Sequence, residues 1–133
     1  METLGGAIAL FWNRAVDLPA ALQATFDAAY RRHAPAITRM GAPDPLDAWI
    51  AARAALIDES RLFNPVIART FPWATSYTAD AYVALLGTYS DHIALQPASR
   101  AALFAALRDI IIAQGGMLTR NYDAALFFAL VAH

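Results

Sequence analysis

Leu4-Gly5-Gly6-Ala7-Ile8-Ala9-Leu10-Phe11-Trp12-Asn13-Arg14 is the stretch on which the fold turns. Two glycines precede six residues, Ala7 to Trp12, that carry no charge and do not alternate. A short apolar run after Gly and before polar residues predicts a strand buried on both faces. Strands of that kind belong to parallel or mixed sheets with helical cover. Ala7–Trp12 therefore requires neighbours on its edges as well as cover on its faces.

The remaining residues supply helices and two further strands. Asp17 and Pro19 mark a helix start. Leu22, Phe26, Tyr30 and His33 then recur at helical spacing, and Pro35 ends the run. A loop follows at 39–45, RMGAPDP, after which Asp44 caps and Pro45 opens a second helix with the stripe Leu46, Trp49, Ile50, Ala54 and Ile57. Val66 to Phe71 partly alternates and reads as a strand with one wetter face, closed by Pro72, and 73–77 as a connecting loop. Thr78 caps a third helix, lined by Tyr82, Leu85, Leu86 and Tyr89 and interrupted at Ser90-Asp91-His92. Pro97 opens a fourth, with Leu103, Leu107, Ile110 and Ile111 inward, and Gly115-Gly116 stop it. Met117 to Val131 is a last strand, bent near Tyr122-Asp123 and apolar throughout from Leu126. Strand, two helices, strand, two helices, strand is an α/β pattern.

Composition narrows the function classes. Of 133 residues, 59% are hydrophobic and 16% charged, more apolar than an ordinary soluble chain, so disorder is not expected. The net charge of −1 and the scatter of ten basic residues, all Arg, give no nucleic-acid footprint. There is no Cys, which removes disulfides, thiolate metal sites and Cys nucleophiles. The three His are far apart in sequence, so no metal site is expected. No apolar run reaches the roughly 18 residues of a membrane span, and the N-terminus has no basic n-region, so a cytoplasmic setting is expected.

Two groups of residues are candidates for chemistry. Trp12, Asn13 and Arg14, with Trp73, fall just past expected strand ends, where an open α/β sheet forms its pocket. Packing is the favoured reading for Trp73, while binding and packing are evenly weighed for Asn13 and Arg14. Tyr77, Tyr89, Asp91 and His92 form the second group. An Asp beside a His could deprotonate an acceptor. Neighbours on a helix end point in different directions, however, so a structural role is favoured, with His92 bonding its own helix turn and Asp91 starting the next.

Tyr77 to Val131, through Thr88-Tyr89-Ser90-Asp91-His92, the Pro-initiated helix, the Gly-Gly turn and the final strand, resembles the carboxyl-terminal end of bacterial class I S-adenosylmethionine-dependent methyltransferases. LGGAIALFWNR is similar to the fifth strand of that fold, which follows a Pro-Gly-Gly turn. The resemblance implies a partial Rossmann-like fold, a three-stranded mixed sheet in the family's order 5-7-6 with the last strand central and antiparallel. It implies one domain over residues 1–133, with 17–60 as a helical insertion forming a substrate lid. It also implies a small-molecule methyl acceptor, for which Trp12, Asn13, Arg14, Tyr77, Tyr89 and His92, singled out above, are the substrate-pocket candidates.

The family's Gly-rich cofactor loop and acidic ribose ligand have no counterpart here, and the only Gly pairs are Gly5-Gly6 and Gly115-Gly116. The expectation is thus the back half of a methyltransferase, inactive alone and without tight binding of S-adenosylmethionine. A complementing amino-terminal half, or a second copy, would pair with the Ala7–Trp12 edge. The alternatives are a non-enzymatic α/β module that associates through that edge and an unrelated three-strand α/β binding domain.

Overall fold

The computed structural model describes residues 5–37 and 44–133; Leu4 and most of the loop expected at 39–45 lie outside them. Strand β1 is Ala7–Ala15, and helix α1, Ala20–His33, leads into a single 3-10 turn at Pro35–Ile37. Helix α2 is Leu46–Glu59 and strand β2 Ile67–Thr78. Helices α3 (Ala79–Leu86), α4 (Ser90–Ile93) and α5 (Pro97–Ala113) precede the last strand, β3, Met117–Leu130.

The three strands form one open antiparallel sheet in the order β1-β3-β2. The last strand lies in the middle and runs antiparallel to the first, from Ala7 opposite Leu130 to Ala15 opposite Tyr122. The expected mixed sheet is corrected to an antiparallel one. With β3 between them, β1 and β2 share no backbone ladder, and among the described residues no parallel strand pair is formed.

The chain divides into two compact units, 5–15 with 44–73 and 122–133, and 16–37 with 74–121. Helix α1 belongs to the second unit and α2 to the first, so the helices of 17–60 are divided between the units.

The second unit holds the better core. Leu103, Leu107 and Ile111, spaced by four along α5, are fully buried. They join Phe26 of α1, Tyr82 and Leu86 of α3, and Leu118 of β3. Burying each such side chain contributes about 1.5–3 kcal/mol. The local signals at the helix ends are realised here. Thr78 accepts a hydrogen bond from the Ala81 amide, and Pro97 sits in the first turn of α5. The α5 terminus is a Schellman turn: the Gly115 and Gly116 amides bond the carbonyls of Ile112 and Ile111. Gly115 has φ of 119° and Gly116 of 87°, values that a side chain would strain. Asp17 and Asp44 do not cap: Pro19 and Pro45 hold the cap positions of α1 and α2, without a side-chain bond. Gln23 instead accepts from the Leu18 amide.

The first unit departs further from expectation. Ala7–Trp12 is not buried on both faces: Phe11 is 79% exposed and Trp12 41%. Among the described residues no strand lies beside its outer edge, and no residue of α2 is fully buried. An apolar run records the absence of polar residues, not the presence of a cover. β3 is likewise not buried on both sides. It buries Leu118, Arg120 and Tyr122, then Ala125, Phe127 and Ala129, while Phe128 and Leu130 stay exposed. The alternation changes parity at Asp123-Ala124, just past the point where β3 passes from the second unit to the first. The expected closure of β2 at Pro72 and the loop at 73–77 are also corrected, since the strand runs on to Thr78. β2 is an edge strand, where a missing proline N–H deprives no neighbour of a bond.

Candidate functional site

In the first unit Trp12, Asn13 and Arg14 lie within β1 rather than past its end. The Trp73 indole N–H donates to Asn13 Oδ1 at 2.8 Å, and the Trp73 ring stacks on Tyr122 at 4.7 Å. Trp12 meets Trp49 of α2 edge to face at 6.0 Å and Phe127 of β3 at 5.5 Å. The Arg53 guanidinium lies 3.9 Å over the Trp49 ring, and that of Arg14 is 5.5 Å from the same ring. Arg14 Nη2 donates to the Asp44 carbonyl. Cation–π pairs of this kind stabilise by about 0.5–2 kcal/mol each. Asn13 and Arg14 are thus bonded within their own unit, and packing is the better account of both. Trp49 and Arg53 complete the stack. They escaped sequence reading as a pair with Trp12 because only folding brings α2 beside β1.

The second unit gathers the other candidates. His92 is 4% exposed. Its Nδ1 is 2.6 Å from Asp91 Oδ1, and its Nε2 is 2.7 Å from the Tyr30 hydroxyl. A carboxylate on Nδ1 calls for a proton there, which leaves Nε2 to accept from the Tyr30 O–H. The ring stacks on Phe104 at 6.2 Å and takes Tyr89 at its edge at 5.9 Å. His92 was expected to bond its own helix turn and Asp91 to diverge from it. Instead Asp91 turns back onto its neighbour, and the imidazole reaches across to α1. In a four-residue helix both side chains sit in the first turn, free of the spacing rule for longer helices.

A carboxylate, an imidazole and a hydroxyl in series are the parts of a base held in one tautomer by a third group. A proton leaving the Tyr30 oxygen would pass to His92 Nε2, with Asp91 stabilising the imidazolium. Tyr89 and Tyr77 flank this series. Burial pushes the Tyr89 phenol above its usual value, as does Tyr77, while Arg120 opposes the rise and Asp91 adds to it. Tyr89 therefore stays a protonated donor at neutral pH. Tyr77 also packs against Tyr82, at 5.7 Å between ring centres.

Tyr77, Tyr89 and His92 thus share one unit with Tyr30, Phe104 and Arg120, which sequence reading missed. Tyr30 lies 62 positions from His92. Arg120 did leave a signal, as the one charge among the alternate residues Leu118, Arg120 and Tyr122 of an otherwise apolar face.

Neither Gly pair makes a cofactor cradle. Gly5-Gly6 precede β1, and Gly115-Gly116 close the carbonyl end of α5; neither joins a strand end to a helix start. The described residues do not fit S-adenosylmethionine. Among the described residues no group of His, Asp or Glu side chains could hold a metal ion, and no helix is long and apolar enough to cross a membrane. In comparison with known proteins, no family model matches the chain and no curated protein matches it.

Proposed function

We propose that this chain serves as the carboxyl-terminal portion of a small-molecule methyltransferase of the S-adenosylmethionine-dependent class, and that it works only when another strand is paired to β1. The observation that supports the reading is the sheet. Its last strand lies between the two earlier ones and antiparallel to the first, and among the described residues the outer edge of β1 is open. That order is the one the resembling family uses for its strands 5-7-6, with strand four on the edge left open here. The cofactor loop would come from the partner segment, and the Tyr30–His92–Asp91 series would be available to take a proton from the methyl acceptor.

Two measurements test this. The DNA immediately upstream of the Met1 codon is expected to encode, in frame or in an adjoining gene, a Gly-rich strand–loop–helix; its absence there would sink the reading. Calorimetric titration of this chain alone with S-adenosylmethionine is expected to give no binding in the micromolar range. Micromolar binding would remove the requirement for a partner.

The exposed apolar side chains of the first unit favour a second reading, a non-enzymatic module that pairs with a second copy of itself through β1. Phe11, Trp12, Ile67, Phe71 and Leu130 are all at least two-fifths exposed, a concentration typical of association surfaces. A concentration-dependent homodimer in light scattering, abolished by Phe11→Lys, is the result this second reading requires.

A further inference from the structure

One group in the second unit is explained by neither its core nor the Tyr30–His92–Asp91 series. Arg120 projects from β3 on the buried face it shares with Leu118, and only 6% of its surface is exposed. A guanidinium remains charged at any physiological pH. A buried charge is costly unless it is paired and hydrogen-bonded. Yet among the described residues Arg120 has no carboxylate within ion-pair distance, no side-chain hydrogen bond and no aromatic ring beneath it. Asp91 is paired with His92, and Asp80 with Arg108. The guanidinium–ring contacts belong to Arg14 and Arg53. Arg120 is not sealed off either. The one enclosed side-chain nitrogen or oxygen without a partner among the described residues is Nη1 of Arg14, in the other unit. The nitrogens of Arg120 therefore keep a narrow opening to solvent.

The surroundings of that opening carry donors. Ser76 Oγ and Thr119 Oγ1 are 2.9 Å apart across β2 and β3. Since successive side chains of a strand alternate in face, this places Thr75, a half-buried residue, on the same face as Arg120. Tyr89 lies within electrostatic reach of Arg120, and its phenol keeps its proton. The nearby acid, Asp91, is turned onto His92 and is 58% exposed.

We propose that Arg120, with the hydroxyls of Tyr89 and Thr75, is a binding site for a small singly charged oxyanion, the carboxylate of a small molecule. The planar guanidinium fork takes two oxygens side by side. The hydroxyls donate to the lone pairs that remain. A single guanidinium balances one negative charge rather than two, so a phosphate dianion is disfavoured. The inference stands apart from the methyltransferase reading, because it concerns a group with no role in that reading.

Acetate and inorganic phosphate are the probes, titrated at pH 8 into the full chain with ionic strength held by chloride. The readouts are the Arg120 Nε–H resonance in NMR and the thermal midpoint. Acetate is expected to shift the resonance saturably and to raise the midpoint beyond what chloride does. Tyr89→Phe is expected to weaken acetate binding about tenfold, the loss of one hydrogen bond to a charged group. Arg120→Gln is expected to abolish it. An Nε–H resonance that acetate leaves unmoved overturns the site, and this holds even where Arg120→Gln fails to fold. Undiminished binding by folded Arg120→Gln also overturns it. Phosphate binding more tightly than acetate at this pH overturns the selection for one charge.

Discussion

Both nitrogens of the His92 ring are committed, one to Asp91 beside it and one to Tyr30 on another helix. Tyr30→Phe removes the hydroxyl and leaves Nε2 a buried acceptor with nothing to accept. The expected loss is about 1–3 kcal/mol, read from the midpoint of urea unfolding. A variant as stable as the parent would mean that water replaces the phenol. Tyr89 makes a prediction about pH. Its folded-state value lies above the ordinary 10.0 of a tyrosine phenol, chiefly through burial. The stabilisation it contributes is complete below pH 10 and is lost as pH rises through the folded value. Tyr89→Phe should therefore flatten the alkaline fall of the urea midpoint relative to the parent; parallel profiles for the two proteins would exclude Tyr89 as a source of that fall. The Asp91-His92 dipeptide was visible in the chain as a candidate base. Its Tyr30 partner was not, because sequence distance carries no information about which helix packs on which.

Among the elements, β1 and α5 behave in opposite ways although both are read easily from the chain. α5 has a proline start, a repeat of Leu103, Leu107 and Ile111, and a Gly-Gly stop, and each does what its chemistry dictates. Helix signals of this kind are local, since cap, periodicity and stop all lie within a few residues of the bonds they make. β1 gives an equally clear strand signal, and the strand forms. Its burial does not follow, because burial depends on partners elsewhere. Phe11→Lys should accordingly change the stability of the folded chain by less than about 0.5 kcal/mol, the usual size of a surface effect. It should at the same time reduce any association through the β1 edge. Thermal melts beside light scattering separate the two, and a large drop in melting temperature would show that Phe11 is covered within the monomer. Pro72 illustrates the same division: its effect on β2 depends on whether the strand is central or at an edge, and only the sheet order decides that.

Across the whole molecule, cohesion is uneven. The second unit has three side chains of α5 with no exposed surface, whereas β1 in the first unit has no fully buried residue. Hydrogen exchange should follow this difference, with the amides of Leu103, Leu107 and Ile111 slowest and those facing outward from β1 fast. Equal protection in β1 and α5 would mean that something covers the β1 edge in solution. The amino-acid sequence by itself determined the α/β class, the existence of all three strands, the four main helices and the principal helix stops. These follow from dihedral preferences, capping and hydrophobic periodicity, which act over a few residues. Only the tertiary structure decided that the sheet is antiparallel throughout, that β1 is open, that Tyr30 completes the His92 series, and that Arg120 is buried without a partner. Those outcomes depend on which distant segments meet, and on how much apolar surface each meeting removes from water. LGGAIALFWNR specified a strand from its own residues, but no residue within it could specify what lies beside that strand.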